Sequence, residues 1–138
     1  MNKKGPIIII EDDEDDTFLL REIFKDLEVE NEIICFTDGN DAYNYFLKST
    51  EQPFMIMSDI NMPVISGFEL RDKIFNDERL RFKRVPYLFF TTSASQKSVV
   101  EAYDQSVQGF FVKPSTMEAS RKSVAAIIEY WKLSMSPY

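Results

Sequence analysis

The sequence predicts an α/β fold, a five-stranded parallel sheet in the common order 2-1-3-4-5 with helices on both faces. Three observations lead there. Five short apolar runs rich in Ile, Phe or Val are each bounded by turn residues, as strands buried on both sheet faces tend to be. The stretches between them repeat apolar residues at three- and four-residue steps, the period of one helix face. The length of 138 residues suits a single domain, because domains cluster near ~100–150 residues.

The first strand is expected at 6–10, running directly into an acidic segment. A helix follows, with Phe18, Leu19, Leu20, Ile23, Phe24 and Leu27 as its apolar stripe. The second strand is expected at 33–36, and Asp38-Gly39-Asn40-Asp41 forms a turn and helix opening before 42–47. The third strand is expected at 54–57. Ser66-Gly67-Phe68-Glu69 then has capping-box spacing, a hydroxyl followed three residues later by Glu. The basic cluster at 79–84 reads as a solvated helix end and loop, before a fourth strand at 87–90. A fifth strand is expected at 110–112. Ser115-Thr116-Met117-Glu118 repeats the capping-box spacing, opening a helix with a stripe of Val124, Ile127, Ile128 and Trp131. No repeat or linker divides the chain. The reading is one domain over 1–138, with a core of about 6–133 and mobile tails of a few residues.

Composition narrows the function. Sixteen basic against 23 acidic residues leave a net charge of −7. That disfavours nucleic acid as a partner, since such binding depends on Lys and Arg neutralising phosphates. The longest apolar run is five residues, at 124–128, so no membrane span or signal peptide is expected. The single cysteine, Cys35, excludes an internal disulfide and suits the reducing cytoplasm. Histidine is absent altogether. That removes Ser-His-Asp and Cys-His nucleophiles, the usual zinc sites and histidine acid–base catalysis. It also means that the chain cannot itself carry a phosphohistidine. The remaining chemistry belongs to carboxylates, hydroxyls, lysines and a hard metal bound through oxygen.

Such groups gather at the strand ends. Glu11-Asp12-Asp13 follows strand one, Ser58-Asp59 and then Asn61-Met62-Pro63 follow strand three, Thr91-Thr92-Ser93 ends strand four, and Lys113-Pro114 ends strand five. Ligands of open α/β sheets bind outside the carboxyl ends of strands, where strand order reverses. In the order 2-1-3-4-5 that point lies between strands one and three, which carry the acids. Carboxylates converging there repel one another. A divalent ion offsets the repulsion, and an all-oxygen donor set favours Mg2+. A carboxylate, a hydroxyl and an ammonium around that ion make a site for a phosphoryl group. Asp59 is then a nucleophile toward phosphorus, with Lys113 and the Thr91 hydroxyl holding the oxygens.

Each residue has a plainer use as well. Acids at 11–16 favour a helix start through its dipole, the reading adopted for Glu14, Asp15 and Asp16. Asp59 alone would suit a turn before Pro63. Lys113 would suit the surface, and Thr91 or Phe110 a strand. A calcium loop is disfavoured, because neither the glycine nor the glutamate of that pattern is in place.

Taken in order, the acidic pair, the Asp59, Met62-Pro63 and Gly67 run, Thr91, and Gly109-Phe110 ahead of Lys113-Pro114 give a specific resemblance. The chain is similar to a response-regulator receiver domain, the CheY-like phosphoacceptor module of two-component signalling, from Ile7 to about Trp131. The resemblance implies a flavodoxin-like fold and phosphorylation of Asp59 by a histidine kinase or histidine phosphotransfer protein. It implies Asp12 as a direct Mg2+ ligand, Glu11 as its acidic neighbour, and a backbone carbonyl at Asn61 completing the metal site. Asp13 remains an alternative metal contact, since Glu11-Asp12-Asp13 offers two acidic pairs. Thr91 and Lys113 match the groups that engage the phosphoryl oxygens, and Phe110 matches the switch aromatic. Asn61 and Ser93 match positions linked to phosphate lifetime.

The expected role is a signalling switch rather than an enzyme, in a stand-alone receiver that passes its signal to an unknown output protein or serves as a phosphate shuttle or sink. The resemblance places the output surface on the last two helices and strand five. Tyr103, Tyr130 and Trp131 lie there, suited either to a partner or homodimer contact or to the core. Two other classes share parts of this pattern. One is a receiver-like interaction module that works without phosphorylation. The other is an Mg2+-dependent aspartate-nucleophile phosphatase, whose second motif Asp is replaced here by Asn61, which has no proton to give as general acid.

Overall fold

The computed structural model describes residues 1–92 and 94–136. Five strands form one parallel sheet: β1 (Ile7–Ile10), β2 (Ile33–Phe36), β3 (Met55–Ser58), β4 (Tyr87–Thr91) and β5 (Gly109–Val112). Their order is β2-β1-β3-β4-β5, as expected. The three inner strands are buried throughout, while the edge strands β2 and β5 are mostly half-buried. Small shifts at the ends have local causes. Pro6 has no N–H for the ladder, so β1 begins at Ile7. Ser58 pairs with Ile10, which carries β3 one residue past the apolar run.

The helices are α1 (Glu14–Asp26), α2 (Gly39–Lys48), α3 (Gly67–Phe75), α4 (Gln96–Asp104) and α5 (Met117–Leu133). Each starts on a side chain that accepts a backbone N–H: Asp13, Asp38, Ser66, Ser95 and Thr116. The capping box at Ser66 and Glu69 is complete in both directions. In α5 the cap is Thr116 rather than Ser115, one residue later than the spacing suggested. Helices α1 and α5 pack together, as do α2 and α3.

The core fills both sides of the sheet. Leu20, Ile23 and Phe24 of α1 and Val124, Ile127 and Ile128 of α5 are buried, and Trp131 packs against them from a half-buried position. Each fully buried side chain of this size contributes ~1.5–3 kcal/mol. Phe18 departs from the expected stripe, being 66% exposed on α1.

Two further expectations are corrected. The segment at 79–84 is not simply a solvated loop, because Glu78–Lys83 forms a 3-10 helix with Leu80 and Lys83 buried. The Lys83 ammonium donates to Phe46 O at 3.0 Å and Ser49 O at 2.6 Å. It thus satisfies carbonyls at the end of α2 and complements that helix dipole. The amino-terminal residues are not a loose tail either. Met1 is buried in the core, and Asn2 N donates to Pro53 O at 3.0 Å. No helix among the described residues is long and apolar enough to cross a membrane.

Candidate functional site

Strand register assembles the site. Ile10 pairs with Ser58, so the next residues, Glu11 and Asp59, leave the sheet side by side. Thr91 pairs with Val112, which puts Lys113 next to the end of β4. Backbone bonds extend the ladders past the strand ends: Asp59 N to Ile10 O at 3.0 Å, Glu11 N to Phe36 O at 2.9 Å, and Lys113 N to Thr91 O at 2.6 Å. Four residues distant in sequence therefore meet at the carboxyl edge, around the reversal between β1 and β3.

Lys113 is the hub. Its ammonium donates to Glu11 Oε2 at 2.7 Å and Asp16 Oδ2 at 2.9 Å, and lies 3.6 Å from Asp59 Oδ2. Only 9% of the side chain is exposed. Burial pulls the lysine pKa down, but hydrogen bonds to Glu11 and Asp16 and the charges of Glu11 and Asp59 outweigh it, leaving the pKa raised and the ammonium charged. Glu11 is buried, and its pKa is pushed up to about 7. Burial is the main cause and the Asp59 charge adds to it, against the lowering effects of Lys113 and the Asp13 N–H.

Asp59 is buried, with Oδ1 accepting the Ile60 N–H at 2.7 Å. The loop beyond it is tightly held. Gly67 N donates to Ile60 O at 2.8 Å, and a β-carbon at Gly67 would stand 2.2 Å from Asp59 O. Glycine is therefore required there, which gives the Asp59 to Gly67 spacing a steric basis. Buried Tyr87 donates to Gly67 O at 3.0 Å, and Ser58 Oγ donates to Asp59 O at 2.6 Å. Between these anchors, Val64 has φ 71 and Ile65 N donates to Pro63 O at 2.9 Å, a γ-turn.

Asp12 is exposed and joins Glu11 and Asp59, the three offering carboxylate oxygens all within 4.8 Å of one another. Asp13 is instead the cap of α1, where Oδ1 accepts from Asp15 N and Asp16 N. Asn61 is exposed in the loop after Asp59, and Thr91 is fully buried at the end of β4. Phe110 is half-buried, edge-on to Phe89 with centroids 6.1 Å apart. Ser93 lies outside the described residues. Tyr103 and Tyr130 are exposed, while Trp131 is half-buried beside Tyr130.

Asp16, expected as a solvated helix residue, is an ion-pair partner of Lys113. The signal lay in its place three residues after the Asp13 cap, where helical side chains lean back toward the strand end. The donor set of Glu11, Asp12 and Asp59 fits a hard divalent ion: it is all oxygen, crowded with negative charge, and includes a carboxyl that sheds its proton reluctantly without one.

Residues 7–125 match the family model of the response regulator receiver domain. The chain is 30% identical over 129 residues to the probable methanogenesis regulatory protein FilR2 of Methanothrix harundinacea, covering 91% of this chain and 82% of that one. It is 28% identical over 135 residues to the response regulator Rcp1 of Synechocystis, covering 94% and 90%. The Mn2+-bound form of Rcp1 superposes with a TM-score of 0.82 over 96% of this chain and 97% of that one, at 26% identity. The phosphorylated cyanobacterial phytochrome response regulator RcpA superposes with a TM-score of 0.84 over 98% and 99%, also at 26% identity.

Proposed function

The chain belongs to the response-regulator receiver family, and on that premise we propose that it accepts a phosphoryl group on Asp59 from a phosphohistidine donor. The observation that carries this reading is the placement of the Asp59 carboxylate. One oxygen is held by the Ile60 N–H, and the other faces the Lys113 ammonium at the edge of an acidic triad. The oxygen left without a backbone bond, Oδ2, is the nucleophile. It forms the new O–P bond as the P–N bond of the donor breaks and the imidazole departs with the bonding pair. Lys113 and the Thr91 hydroxyl then engage the phosphoryl oxygens, whose charge exceeds that of the carboxylate they replace.

Glu11, Asp12 and Asp59, with the backbone carbonyl of Asn61, would hold Mg2+, and Asp13 is spent on its helix. When bound, the ion supplies positive charge that offsets the phosphoryl oxygens in the transition state. The forms in which Rcp1 and RcpA were solved, Mn2+-bound and phosphorylated, support both parts. The donor is a histidine kinase or a histidine phosphotransfer protein, because this chain has no histidine of its own. Acyl phosphate at Asp59 biases the loops after β3 and β4, Phe110 responds, and an output protein reads the change on α4, β5 and α5. We place this cycle in the cytoplasm, the compartment of the kinase domains it would serve.

Incubation with acetyl phosphate and Mg2+, followed by rapid intact-mass measurement, tests the reading. One phosphoryl adduct is expected, lost on chelation and in Asp59→Asn. An unmodified wild-type mass with both acetyl phosphate and a phosphohistidine donor would favour a binding module that works without phosphorylation.

A further inference from the structure

The proposed chemistry gives no task to Asp16, yet Asp16 holds the lysine on which that chemistry relies. An ammonium has three donors. The Lys113 ammonium spends two in charge-assisted bonds, to Glu11 at 2.7 Å and Asp16 at 2.9 Å, while Asp59 stands at 3.6 Å, beyond hydrogen-bond reach. A cavity of about 230 Å³ adjoins Lys113 between α1, the ends of β4 and β5, and the start of α5, lined in part by Asp16, Thr92, Ser115 and Ser120, and leaves space beside the side chain. Both short bonds of the ammonium run to carboxylates.

We propose that Asp16 is a positioning residue that tethers Lys113 toward α1 and holds its ammonium back from Asp59 until Asp59 carries a phosphoryl group. The proposal rests on the phosphoacceptor reading. Phosphorylation adds roughly one to two negative charges and three acceptor oxygens beside the lysine. That change draws the ammonium from Asp16 to the phosphoryl group. The first turn of α1 is thereby untied from the end of β5, the two elements that the Asp16–Lys113 pair joins.

Asp16→Ala removes the tether and should leave the fold intact, because Asp13 caps α1 through backbone N–H groups that the substitution keeps. Asp15→Ala, an equal loss of charge one residue away, is the control, and Asp16→Glu is the conservative rescue. In a crystal structure of Asp16→Ala, the Lys113 ammonium should move into hydrogen-bond reach of Asp59. Labelling by acetyl phosphate at saturating Mg2+ should quicken several-fold in Asp16→Ala, change little in Asp15→Ala and stay near wild type in Asp16→Glu. In a Lys113→Met background, Asp16→Ala should act no more strongly than Asp15→Ala. A lysine that keeps its distance from Asp59 in Asp16→Ala overturns the proposal, as does an equal acceleration without Lys113. Should the wild type take no phosphoryl group, the phosphoacceptor reading fails, and the crystal structure still decides whether Asp16 holds the lysine.

Discussion

At the scale of single residues, the site combines groups whose ordinary preferences oppose their positions. Glu11 is a buried carboxyl with its pKa pushed up to about 7 from 4.5, so the fold favours its protonated form. Its contribution to stability is fully present below pH 4.5 and is lost as pH rises through about 7. In EDTA, Glu11→Gln should therefore be more stable than the wild type above pH 7, with the gap closing toward pH 4.5 and closing also when Mg2+ is added. Urea midpoints across that range check the sign. Gly67 is constrained differently, through the 2.2 Å approach of a β-carbon to Asp59 O. Gly67→Ala should cost ~1–3 kcal/mol, the usual penalty of forced overpacking, and should slow labelling because the displaced atom belongs to Asp59, the proposed phosphoacceptor. Chemical denaturation and intact mass read the two effects. The types of Asp59, Lys113 and Glu11 were legible because acids, a lysine and a threonine end strands where a fold alone needs none of them. Asp16 had only its place three residues after the Asp13 cap as a signal, since its partner lies 97 positions away.

The secondary elements show a second kind of economy. The chain has four glycines, and none has a positive φ. Helix α1 nonetheless ends in a left-handed residue, Glu28 with φ 55, closing a Schellman-type pair of bonds from Glu28 N to Lys25 O and Val29 N to Phe24 O. Helix α4 repeats the arrangement with Ser106 at φ 58. A side chain in this region costs roughly 1 kcal/mol that glycine avoids. Glu28 is exposed, so Glu28→Gly should raise stability by up to ~1 kcal/mol, read as a higher urea midpoint with an unchanged slope. The helix starts at Asp38 and Ser66 were readable from sequence because a cap is a local bond, while the caps Asp13 and Ser95 were not identified there. The cap of α5 moved from Ser115 to Thr116 because either hydroxyl satisfies the local pattern. The 3-10 helix at Glu78–Lys83 was not legible, since its buried lysine is specified by carbonyls of α2 more than 30 residues earlier.

For the whole molecule, the sheet turns a linear order of short motifs into one site. Alternating strands and helices predicted the architecture, and the strand order followed from the commonest arrangement of such chains. Register was beyond the sequence, because runs of four Ile or of mixed Phe and Leu slide without changing their pattern. Yet the pairing of Ile10 with Ser58 and of Thr91 with Val112 is what brings Glu11, Asp59 and Lys113 together. The same sheet connects the site to β5, flanked by α4 and by an α5 that exposes Tyr130. On the proposed reading, a charge change at Asp59 has a short route to that surface. If Asp59 becomes an acyl phosphate, as proposed, that bond can be located chemically. Protein phosphorylated with Mg2+ present is treated with borohydride, which reduces an acyl phosphate to an alcohol, and the peptides are sequenced by mass spectrometry. Homoserine is expected at position 59 and at no other acid. Reduction at Asp12 or Asp16 in place of Asp59, or none in a protein that carries the phosphoryl mass, would contradict it.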